Sequence, residues 1–99
     1  MKKSDNPLLS EIQDIIEEKF GLESWPTKSD SHPADDWIDV HVFGEESYIF
    51  TIGIKDSKII IYRPNRDRWG YDNAIDLFNE NFLEQLLDQI DELLSDILK

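Results

Sequence analysis

Between Trp37 and Arg63 apolar residues recur at every second position, and this alternation constrains the fold more than any other feature of the chain. Ile38, Val40 and Val42 share one face of a predicted strand over Trp37 to Phe43. Tyr48, Phe50, Ile52 and Ile54 share one face of a second, over Ser47 to Ile54. Lys58 to Arg63 is a β-branched run that Pro64 ends. A three-residue loop at Gly44-Glu45-Glu46 sets Val42 opposite Tyr48, Val40 opposite Phe50 and Ile38 opposite Ile52. A two-residue turn at Asp56-Ser57 sets Ile54 opposite Ile59 and Ile52 opposite Ile61. Both turns put the apolar residues on one face, and a one-residue slip would expose them all. Short connections imply an antiparallel meander.

Such a face needs a cover, and the flanking segments supply it. Pro7 to Phe20 carries Leu8, Leu9, Ile12, Ile15, Ile16 and Phe20 at helical spacing. Asn6 suits the N-cap, Pro7 the first helical position and Gly21 the C-terminal cap. A long helix is expected from about Asp72 to Leu98, with Leu83, Leu86, Leu87, Ile90, Leu93, Leu94 and Ile97 on one stripe. Leu22 to Asp36, which holds Pro26 and Pro33, reads as an irregular loop, and Asn65 to Tyr71 as another. The expectation is an α+β fold: a two-layer α-β-β-β-α sandwich, a three-stranded antiparallel meander with both helices on one face. The 99 residues form one acidic domain, with residues 1–6 outside its ordered part. In order of elements this resembles the double-stranded RNA-binding domain. That family places lysines at the start of its second helix, where this chain has Asp72, Asn73 and Asp76, so the resemblance carries no function over.

Charge narrows the function. Twenty-two acidic residues stand against ten basic ones, a net charge of −12. Direct nucleic-acid binding is disfavoured, because its affinity comes from Lys and Arg on phosphates, and an anionic membrane is disfavoured for the same reason. A basic protein surface is the favoured partner. No cysteine is present, which excludes disulfides and suits a reducing cytoplasm. Every apolar stretch is short or broken by acids, so neither a signal peptide nor a membrane span is expected.

Three surfaces are candidates for function. The first is the second face of the sheet, where Trp37, Phe43, Ile60 and Tyr62 are expected to offer accessible apolar surface unless the segment Leu22 to Asp36, with Leu22, Trp25 and Pro26, folds over it. The second is an acid ladder. Asp76, Glu80, Glu84, Asp88, Glu92 and Asp96 recur at every fourth residue, Asp91 joins the same side, and no base occurs from Trp69 to Leu98. Like charges at this spacing weaken a helix, whereas a basic partner would turn the repulsion into attraction. The third is the cluster Arg63, Arg66, Arg68 and Trp69, expected to bind an anion or to pair with acids such as Asp67 and Asp72. A metal site could draw on His32, Asp35, Asp36, Asp39 and His41, but no metal or phosphate-loop motif is present, and no cofactor is expected.

The function expected from the sequence is non-catalytic: an inhibitor, immunity protein or nucleic-acid mimic that neutralises or escorts a basic protein. Asp76, Glu80, Glu84, Asp88 and Asp91 would form the binding surface, with Trp37, Phe43, Ile60 and Tyr62 as anchors. The alternative is a homodimeric scaffold or secretion-chaperone-like module, using the 4-3-4-3 seam Leu83, Leu87, Ile90, Leu94 and Ile97. A small metal-dependent enzyme comes third.

Overall fold

In the computed structural model the described residues are 3–26, 34–62 and 74–97, with the side chain of residue 97 excepted. Arg63, Arg66, Arg68, Trp69, His32 and the expected loop Asn65 to Tyr71 lie outside them. Helix α1 spans Pro7–Phe20 with the caps its sequence announces. The amides of Leu8 and Leu9 donate to Asn6 Oδ1 at 3.0 and 3.3 Å, and Gly21 closes the helix at φ 67°. Five strands follow: β1 Leu22–Pro26, β2 Asp36–Val42, β3 Tyr48–Lys55, β4 Lys58–Tyr62 and β5 Ile75–Asp76. Helix α2 spans Phe82–Ile97. Neighbouring strands are antiparallel and their order in the sheet is their order in the chain. The α+β class therefore stands, but the meander has five strands rather than three. The likeness in element order to the RNA-binding domain disappears with that count.

The central register is the one the alternation implies. Val40 pairs with Phe50, Ile38 with Ile52, Ile52 with Ile61 and Ile54 with Ile59. Asp56 and Ser57 both take positive φ, 52° and 62°, the signature of a type I′ hairpin turn. The core is single. Leu9, Ile12 and Ile16 of α1 and Leu86, Ile90 and Leu93 of α2 meet Ile38, Val40, Phe50, Ile52, Ile59 and Ile61 of the sheet. Alternation puts these strand residues on one face, so both helices cover that face.

The ends of the elements depart from expectation, each for a local reason. Leu22–Pro26 is not part of an irregular loop; it pairs with β2 from Leu22↔Val42 to Pro26↔Ile38. Its core-facing residue Ser24 is polar, which hides the alternation. Ser24 is nevertheless fully buried, and Gln13 of α1, also fully buried, donates from Nε2 to its carbonyl at 3.1 Å. Gln13 Oε1 in turn accepts from the Ser4 amide at 2.8 Å. Val42 does not face Tyr48. The pairing steps from Val40↔Phe50 to His41↔Tyr48, so Ile49 is the extra residue of a bulge. The connection then runs over residues 43–47 rather than three, starting with a turn closed by Glu45 N–H on Val42 O at 2.9 Å. Gly44, at the third position of that turn, has φ 86°, as a type II turn requires.

Helix α2 starts ten residues later than the apolar stripe suggested, at Phe82 instead of Asp72. The cause is competition from short polar side chains. Asp76 Oδ1 accepts from the Phe78 amide and Asn79 Oδ1 from the Asn81 amide, both at 2.9 Å, giving two successive Asx turns. Leu77 N–H donates to Ser57 O at 3.0 Å and ties the first turn to the β3–β4 hairpin. Asp76 thus ends an edge strand, paired with Lys58, and Glu80 sits in a turn.

Candidate partner-binding surfaces

The second sheet face is not the open platform the sequence suggested. Ile60 and Tyr62 are each 5% exposed, and with Ala34 they form a second small cluster against which Trp37 and Ala74 pack. Trp37 pairs with Gly53 as expected, but it is half-buried. The space over Gly53 is taken by other groups. A Cβ there would stand 2.6 Å from Ala34 Cβ and 2.9 Å from Tyr62 Cε2. Of the four expected anchors only Phe43 is displayed, 73% exposed. The continuous apolar run Ile59 to Tyr62 sends side chains to both faces of β4, and all four are buried.

At the other end of the same face lies a pair of stacked rings. Trp25 of β1 stacks on His41 of β2, ring centroids 3.7 Å apart and planes 21° from parallel. His41 is 3% exposed, and neither ring nitrogen has a hydrogen-bond partner among the described residues. Its cross-strand neighbours are Glu23 and Tyr48, which therefore share its face. Asp39, two residues before it, accepts from Thr51 Oγ1 at 3.1 Å, and Asp36 accepts from Asn6 Nδ2 at 3.3 Å. Among the described residues no group of three or more His, Cys, Asp or Glu side chains is placed to hold a metal ion.

The acid ladder survives in shortened form. Glu84, Asp88, Asp91, Glu92 and Asp96 all lie exposed on α2, whereas Asp76 and Glu80 precede it. Three i,i+4 acid pairs remain, Glu84–Asp88, Asp88–Glu92 and Glu92–Asp96, costing about 0.6–1.5 kcal/mol together. Glu92 and Asp96 also oppose the negative end of the helix dipole. No base occurs between Phe82 and Ile97. The outward side of α1 adds Glu11, Asp14, Glu17 and Glu18, with Lys3 paired to Asp14 and Lys19 in the last turn. The helix layer therefore presents carboxylates on both of its members. The 4-3-4-3 seam is spent inside the chain: Ile90 is fully buried, and Leu83, Leu87 and Leu94 pack against the core.

Among the described residues no helix is long and apolar enough to cross a membrane. Compared with protein-family models, curated proteins and solved structures, the chain has no significant match.

Proposed function

We propose that the chain is a non-catalytic binding protein whose acidic helix layer docks on a basic protein surface, as an inhibitor, immunity protein or nucleic-acid mimic would. The observation that carries this is the outer face of α2, where every exposed ionisable side chain is a carboxylate and three like-charged pairs persist at repulsive spacing. A helix under selection for stability alone gains by mixing signs; a cationic partner removes the repulsion on binding. Glu84, Asp88, Asp91 and Glu92 would stand where phosphates stand in a nucleic acid, and the summed field would speed encounter.

The test is affinity capture from the source cells with the wild-type chain and with Asp88→Asn/Asp91→Asn/Glu92→Gln, at low and high ionic strength. The expected result is a basic protein held by wild type at low salt and released both by salt and by the triple substitution. Equal retention by both chains at low salt would mean that the acids of α2 are only a solvated face.

A further inference from the structure

We infer that the β2–β3 end of the sheet is a cation-accepting anchor, built from Phe43 and Tyr48 backed by the Trp25–His41 stack, and that it receives an arginine side chain of the basic partner. This rests on the reading of the chain as a binder of basic proteins and adds a second contact site to it.

Two of the three exposed large apolar side chains among the described residues, Phe43 at 73% and Tyr48 at 40%, belong to this one connection. Its backbone geometry needs neither of them. Gly44 supplies the positive φ and the Val42–Glu45 hydrogen bond closes the turn, so the turn geometry does not call for an aromatic ring at position 43. Tyr48 stands opposite His41 across β2 and β3, and His41 is clamped by Trp25, which leaves a fixed aromatic row across three strands. Aromatic side chains with few torsions to immobilise make efficient anchors.

The chemistry of the surrounding groups selects the occupant. Glu45 and Glu46 lie between the two aromatic residues, both exposed, and Glu23 faces His41 from β1. Helix α1 brings Glu17 and Glu18, along with Lys19, to the same end, since Gly21 leads directly into Leu22, the partner of Val42. Lys55 and Lys58 are at the opposite end, flanking the β3–β4 turn. The patch thus combines electron-rich ring faces with carboxylates. A guanidinium has five N–H donors, no acceptor, and a flat face that stacks on aromatic rings, so it matches each of these groups.

The experiment is an NMR titration of the isotope-labelled full chain. The probe is a nonapeptide of alternating arginine and glycine, with the citrulline peptide of the same length as an uncharged control. Arginine peptide should shift the amides of residues 42–49, citrulline peptide should not, and Phe43→Ala and Tyr48→Ala should each weaken the tip interaction by about fivefold to tenfold. Both substitutions are at exposed positions and leave the core untouched. Shifts confined to Asp88, Asp91 and Glu92 of α2 would overturn the anchor while leaving the acidic-helix reading intact. Shifts at the tip alone would support the anchor and remove the helix. Equal response to citrulline, or indifference to both alanine substitutions, would also overturn the anchor.

Discussion

Ile52 is fully buried, paired to Ile38 on one side and Ile61 on the other, and covered by both helices. Ile52→Ala should lower the unfolding free energy by about 2–5 kcal/mol, from lost burial and the cavity left behind. Chemical denaturation measures it; a change under about 1 kcal/mol would show a core able to collapse around the missing atoms. Gln13 is a sharper case because its contribution is polar. It links the Ser4 amide to the Ser24 carbonyl across a fully buried side chain. Gln13→Ala leaves that amide and carbonyl without their partner and should cost about 1–3 kcal/mol, in equilibrium unfolding. Gln13→Leu, of similar volume, should recover little of it, because packing is not what is lost. Full recovery in the leucine variant would show that the two hydrogen bonds carry no net stability.

At the level of elements, the β3–β4 hairpin places two non-glycine residues in left-handed conformation, Asp56 and Ser57. Ser57→Gly relieves one of them and keeps the carbonyl that binds the Leu77 amide, so it should raise stability by about 0.5–1 kcal/mol in thermal unfolding. Helix α2 predicts a second gain. Asp88→Asn/Asp91→Asn/Glu92→Gln removes all three acid pairs while retaining Glu84, which favours the first turn, and should stabilise the chain by about 0.6–1.5 kcal/mol. A loss of stability would mean that these carboxylates make favourable contacts in the folded chain. These elements also show what the sequence discloses. The two-residue turn, the caps of α1 and four central cross-strand pairs follow from alternation and cap chemistry alone. Strand β1 is hidden because Ser24 occupies a core position, and its partner Gln13 is a polar residue on the buried face of the preceding helix. The late start of α2 is hidden because its apolar spacing continues through Leu77, while the Asx turns of Asp76 and Asn79 decide the backbone. Neither the cover over Ile60 and Tyr62 nor the Trp25–His41 stack has a local signature, since both depend on which segment folds across the sheet. Of the four residues expected to be accessible on the second face, Phe43 is the exposed one, and its place at the end of a strand before a turn accounts for that.

For the whole molecule the dominant quantity is the net charge of −12 on 99 residues. The compact state concentrates that charge, and both helices turn carboxylates outward. Added salt screens repulsion over distances of about 8–10 Å at 0.10–0.15 M, comparable to the spacing of these groups. The melting temperature should therefore rise as sodium chloride increases from about 0.01 to 0.15 M, and rise less in the α2 triple variant. A melting temperature independent of salt would imply that the unfolded chain is as strongly self-repelling as the folded one.

Strand order equal to chain order has a kinetic consequence. Each strand finds its partner in the segment synthesised just before or just after it, so no pairing waits for a distant part of the chain. Loop closure is cheapest at the two-residue turn, and the β3–β4 hairpin is the natural first structure, with β2 adding through the next shortest connection. The two edge strands adjoin the helices in sequence, so the last strands to dock bring their own covering layer with them. Pairing confined to chain neighbours keeps the loop-closure cost of each step low, which favours rapid formation of a five-stranded sheet.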